Sequence, residues 1–112
     1  MKTVIDENVL DTGQMLLAIF EKLGKASVAD LAYSAHAYLA RGLASIAAEQ
    51  ALEHGVKAVG FSGGAACNQI LERVMRRTVE AAGLKFLVHE AIPAGDGGVS
   101  FGQAVVGGFF RV

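Results

Sequence analysis

The side chains and backbone groups best placed for chemistry fall in two glycine-rich turns, each leading into a helix. The first is Ser62-Gly63-Gly64, which follows the apolar run Val56 to Phe61 and is followed by Asn68. The second is Gly95-Asp96-Gly97-Gly98. Glycine lets the backbone take φ > 0 or approach a ligand closely. The helix behind each turn points unpaired N–H groups and the positive end of its dipole back at it. That arrangement suits an anion, a phosphate above all. Ser62 could donate to a phosphate oxygen or close a local turn. The Asn68 amide donates and accepts at once, which suits an adenine edge or a ribose hydroxyl, and equally a helix start. Asp96 could cap a helix or ligate Mg²⁺ or another metal. Neither turn is a P-loop, since no Lys-Ser/Thr pair follows, and the spacing of Gly60, Gly63 and Gly64 does not fit a dinucleotide fingerprint. A bulky residue at Gly64 is expected to disrupt the first turn.

The other reactive groups carry less. Cys67 lies near a helix start, but no histidine neighbours it in sequence, and a small packed residue is expected there rather than a nucleophile. His36, His54 and His89 show no metal-ligand spacing. His36 is expected to be packed or capped within a helix. His89 and Glu90 with Asp96 offer a weaker metal combination. Arg73, Arg76 and Arg77 read as a solvated helix face.

The elements that must position the turns follow from periodicity. Asp11-Thr12-Gly13 starts a helix over about residues 12–23, with Met15, Leu16, Ile19, Phe20 and Leu23 at helical spacing. Ser27 with Asp30 starts a second helix, which Gly55 closes. Leu31, Ala35, Tyr38, Leu39, Leu43, Ile46 and Ala47 mark its apolar side, and its length is about 40 Å at 1.5 Å per residue. A helix apolar over so much of its surface is expected to be central. Val56–Phe61 and Leu84–Val88 read as buried parallel strands around a helix from Asn68 to Ala82. Val99 to Phe110 reads as a last helix threaded with Gly102, Gly107 and Gly108. Both glycine turns then lie at the carboxyl ends of adjacent strands, where open α/β sheets bind ligands. Two parallel strands are too few for a free-standing sheet. Either residues 2–5 add a strand, or another chain or domain completes it.

The 112 residues are 53% hydrophobic and 19% charged, enough for one small domain or one lobe of a larger one. A net charge of −1 gives no electrostatic reason to expect a nucleic acid or a membrane surface as partner. One cysteine precludes an internal disulfide and points to a reducing compartment. No leader and no apolar run of about 18 residues stands out, so a cytoplasmic location is expected.

Val59-Gly60-Phe61-Ser62-Gly63-Gly64-Ala65-Ala66-Cys67-Asn68, then Pro93 and Gly95-Asp96-Gly97-Gly98-Val99-Ser100-Phe101-Gly102-Gln103-Ala104, resembles the C-terminal end of the hydrogenase maturation carbamoyltransferase family (HypF-type). The same stretch is more distantly similar to the tRNA threonylcarbamoyl-transferases. Asp11 to Gly55 also resembles the segment upstream of that motif, so the likeness covers most of the chain. It implies an α/β fold: half of an actin-like ATPase (ASKHA, ribonuclease H-like) lobe, ordered helix-helix-strand-helix-strand-helix around a small parallel sheet. Residues 1–112 would be one partial domain, the C-terminal lobe of a Kae1-like domain.

The family transfers a carbamoyl group through a carbamoyl-adenylate to a partner's C-terminal cysteine thiol. By resemblance, ATP or an adenylate is the ligand. Ser62, Gly63, Gly64 and Asn68, with Gly97 and Gly98, would contact it. Asp96 would be a ligand to a divalent metal whose histidine ligands come from a missing N-terminal lobe. The chain departs from the family in carrying Gly95 where an asparagine is usual. It also carries no match to that lobe, nor to the acylphosphatase-like, zinc-finger and YrdC-like domains. It is therefore expected to be inactive alone and to partner the missing lobe, another subunit, a homo-oligomeric copy or hydrogenase maturation proteins. The alternatives are a non-catalytic, self-associating or partner-binding module that keeps the fold, and a different ASKHA member such as part of a sugar kinase or of a radical-enzyme activator.

Overall fold

In the computed structural model, which describes residues 1–109, the chain opens on a short antiparallel hairpin. Strand β1 (Ile5–Asp6) pairs with β2 (Val9–Leu10) in the register Ile5↔Leu10 and Asp6↔Val9. Glu7 and Asn8 turn it with φ of 46° and 66°. Two left-handed residues in a two-residue loop match the twist of the flanking strands. Residues 2–5 therefore add no strand to the parallel sheet, since the hairpin forms a sheet of its own. Tyr38, almost fully buried, anchors it: the hydroxyl accepts from the Val4 N–H at 3.1 Å and donates to the Asp11 carbonyl at 2.6 Å.

Helix α1 (Thr12–Lys22) starts where Asp11 accepts from the Gln14 N–H at 3.1 Å. Of its apolar set only Met15 is buried, while Leu16, Leu17, Phe20 and Leu23 face outward. Helix α2 (Val28–Glu53) has 26 residues and is capped by Ser27, whose Oγ accepts from the Asp30 N–H at 3.1 Å. Leu31 and Tyr38 of the expected apolar side are buried, but most of the buried surface is supplied by alanines. Ala37, Ala40, Ala44, Ala48 and Ala51 form the seam, and Leu43 is 49% exposed. Small side chains let helix α3 (Gln69–Ala81) come close. Val74, Met75 and the fully buried Val79 fill that interface. Burying apolar area in this way is the main stabilising term, about 25 cal/mol per Å².

Strands β3 (Ala58–Phe61) and β4 (Lys85–Val88) pair in parallel, with Val59 opposite Phe86 and Phe61 opposite Val88. Side chains alternate along a strand. Val59, Phe61, Phe86 and Val88 pack on the core, whereas Lys85 and Leu87 are exposed. The Phe61 and Phe86 rings lie 6.5 Å apart and tilted. Arg76 is not simply solvated: its guanidinium sits 5.2 Å from the centre of the Phe86 ring and pairs with Glu72 at 2.8 Å and Glu80 at 3.7 Å. The hydrogen bond to Glu72 raises the Arg76 pKa above its ordinary value.

Helix α4 (Asp96–Phe109) begins three residues before the expected Val99, and Phe110 lies outside the described residues. None of its described side chains is buried. The radius of gyration is 17.0 Å, against about 13 Å for a compact chain of this length. One sheet face and the apolar side of α4 are uncovered among the described residues. No helix there is long and apolar enough to cross a membrane.

Candidate functional site

The parallel register carries both turns to one end of the sheet. The Gly63 N–H donates to the Ala94 carbonyl at 2.9 Å, which ties the turn after β3 to the loop before α4. A Cβ built on Gly95 would touch the Gly64 Cα at 4.0 Å. The two glycine turns are therefore in contact, as their placement at adjacent strand ends requires.

Within the first turn the conformational demand falls on Gly63, whose φ of 101° and ψ of 177° are open essentially to glycine alone. Gly64 has no left-handed φ, and a Cβ there would meet nothing within 4 Å. The expectation for Gly64 is corrected accordingly. Gly64–Cys67 forms a single 3₁₀ turn, and α3 follows. Cys67 at its end is exposed, not packed as expected.

Asn68 is the N-cap of α3. Its Oδ1 accepts from the N–H of Ile70 at 3.0 Å and of Leu71 at 3.1 Å, which satisfies two of the helix's unpaired donors. Its amide nitrogen enters no hydrogen bond among the described residues and is the part left for a ligand.

In the second turn Asp96 is exposed and is the first residue of α4. Gly97 and Gly98 lie inside the helix's first turn rather than in a loop before it. A side chain at Gly98 would collide with the Pro93 carbonyl oxygen, and one at Gly97 would press on the Pro93 ring at 3.2 Å. Packing on Pro93 thus accounts for both glycines, and the Gly98 N–H is met by the Gly95 carbonyl at 2.9 Å. A cavity of about 340 Å³ opens here, bounded by Ser62, His89, Pro93, Gly95, Gly98 and Phe101.

His89, a weak metal candidate by sequence, instead meets Ser62, a contact that periodicity and motif spacing overlook. Its Nε2 lies 2.8 Å from Ser62 Oγ. A signal was present: Ser62 directly follows β3 and His89 directly follows β4, so an in-register parallel pair sets them side by side. The other two histidines bond their own helix, His36 through Nδ1 to the Ala32 carbonyl at 2.8 Å and His54 likewise to the Gln50 carbonyl at 2.9 Å.

The grouping of His89, Glu90 and Asp96 is not assembled, since among the described residues no three His, Cys, Asp or Glu side chains converge. Asp96 is a hard oxygen donor suited to Mg²⁺ or Ca²⁺. One carboxylate supplies at most two of about six ligands, so the remainder must come from outside these residues.

Comparison with known proteins agrees with this geometry. Residues 1–103 match the family model described as carbamoyltransferase, Kae1-like domain, second subdomain. The chain is 33% identical over 102 residues to the probable carbamoyltransferase HypF of Methanocaldococcus jannaschii, covering 90% of this chain and 13% of that protein. It is 35% identical over 107 residues to a carbamoyltransferase HypF homolog of Cupriavidus necator, covering 92% of this chain and 27% of that one. The crystal structure of T. kodakarensis HypF superposes with a TM-score of 0.83 at 42% identity, over 96% of this chain and 14% of that one. The chain thus spans about an eighth to a quarter of the length of these relatives. With the matching helices, the small parallel sheet and both glycine turns in place, the chain belongs to the HypF carbamoyltransferase family and corresponds to the second subdomain of its Kae1-like domain.

Proposed function

We propose that the joined turns form one wall of a nucleotide cleft, taking ATP or an adenylate, in a carbamoyltransferase of the hydrogenase maturation type. The observation that carries this reading is the contact between the turns, sealed by the bond from Gly63 to Ala94. It brings the turn after β3 against the start of α4, and helix N-termini favour phosphate. Ser62 Oγ, the Asn68 amide nitrogen and the first-turn N–H of Gly97 are the donors on that wall, with Gly98 letting the ligand approach closely while its own N–H is held by the Gly95 carbonyl at 2.9 Å. Asp96 contributes one carboxylate to a divalent metal that accompanies the nucleotide. That metal would supply charge neutralisation for the phosphates.

The uncovered sheet face and α4 support a further part of the reading: the chain is half of a lobe that binds nucleotide on its own wall and turns over only when other polypeptide closes the cleft. Calorimetric titration of ATP with Mg²⁺ into the chain tests the wall directly. Heat of binding that Gly63→Ala removes is the expected result. No binding, with or without Mg²⁺, would sink the reading.

A second reading is a non-catalytic module that self-associates or binds hydrogenase maturation partners. The outward apolar residues of α1 and α4, Phe20 and Phe109 among them, favour it, because large exposed apolar patches mark interaction surfaces. Light scattering on the same sample distinguishes the two. A stable oligomer without nucleotide binding supports the module, and nucleotide binding by a monomer supports the cleft.

A further inference from the structure

We propose that His89 is a positioning residue for anion binding, holding Ser62 so that its hydroxyl proton is free for the ligand. This rests on the nucleotide reading above and adds a residue to it. The two side chains meet from the ends of adjacent strands, Nε2 to Oγ at 2.8 Å, and both are exposed at the mouth of the cavity beside Gly95 and Gly98. A serine hydroxyl has one proton and two acceptor lone pairs. If Ser62 donates to Nε2, it shows only lone pairs to the cavity and repels a phosphate. If Nε2–H donates to Oγ, the Ser62 proton is left to donate outward. A phosphate in the cavity therefore requires a proton on Nε2, and His89 both fixes the rotamer of Ser62 and sets the polarity of its hydrogen bond.

The test uses the full chain and four variants: Ser62→Ala, His89→Ala, the pair together, and His89→Gln, whose amide N–H can replace Nε2–H. ATP·Mg²⁺ and adenosine are titrated into each. Losing one such hydrogen bond costs roughly a factor of 3–10 in affinity. His89→Ala should weaken ATP binding by about that factor and adenosine hardly at all. The double variant should be no weaker than Ser62→Ala, and His89→Gln should recover most of the loss. Nitrogen NMR of the imidazole in the ATP complex should find Nε2 protonated.

Unchanged ATP affinity in His89→Ala, an equal loss for adenosine, multiplicative losses in the double variant, or a bare Nε2 would each overturn the role while leaving the nucleotide reading intact. Failure of the wild-type chain to bind ATP would overturn both.

Discussion

Gly63 and Ala94, far apart in the chain, are joined backbone to backbone at 2.9 Å. That bond converts two separate strand-to-helix turns into one surface. It also makes the surface depend on Gly63, because the N–H points at Ala94 only while the residue keeps its φ of 101°.

Gly63→Ala should therefore destabilise the chain by about 1–3 kcal/mol, the usual cost of forcing a side chain into such a conformation. Gly64→Ala should be nearly neutral, since its Cβ has open space. Urea unfolding of the two variants checks the contrast. Equal effects would contradict the assignment of the strained position.

Gly98→Ala should loosen the start of α4. The added methyl meets the Pro93 carbonyl, so either the Ile92–Gly95 loop shifts or the helix unwinds by a turn. Faster amide exchange at Gly98 to Phe101, with α3 unaffected, is the expected signature. Unchanged exchange would show that the loop yields without cost.

Asn68→Ala and Asn68→Asp separate capping from binding. Alanine removes the Oδ1 acceptor and should cost about 1 kcal/mol of stability. Aspartate keeps the acceptor and, with its charge at a helix start, should hold stability. It also removes the amide donor and brings a negative charge to the wall, so ATP affinity should fall while the melting temperature does not. A binding loss confined to the alanine variant would assign Asn68 to the helix alone.

Tyr38→Phe should free the N-terminal hairpin. It deletes the hydroxyl that bonds both Val4 and Asp11, at a cost of about 1–3 kcal/mol where a partner is left unsatisfied. Hydrogen exchange should rise at Val4 and Asp11 and hold steady at Val79. A uniform rise would instead mark Tyr38 as part of the global core.

Much of this was legible in the sequence, and the failures share a cause. Helix α2 announced itself through Ser27, Asp30 and Gly55, which are local signals acting within a turn. The strands and α3 followed from short apolar runs between glycines. On the inward side of α2, Leu31 and Tyr38 are buried as expected, but leucines outrank alanines on any hydropathy scale, whereas closeness to α3 selects the alanine seam over Leu43. The β1–β2 hairpin was hidden because Glu7-Asn8 lacks the glycine that usually marks such a turn. The sequence hides the first turn of α4 because Gly97 and Gly98 look like breakers, and only their contact with Pro93 gives a reason for glycine inside a helix. Within the site, Ser62, Asn68 and Asp96 stood out by motif. His89 needed the register Phe61↔Val88, which is a tertiary fact.

The nucleotide wall is tested most directly by amide chemical-shift mapping of the isotope-labelled chain during titration with ATP and Mg²⁺. Shifts concentrated at Gly63, Gly64, Asn68 and Gly95 to Gly98, saturating together with one affinity, are the expected result. An unperturbed spectrum, or shifts centred on the polar hollow of Glu72, Arg73 and Arg76 along α3, would contradict it.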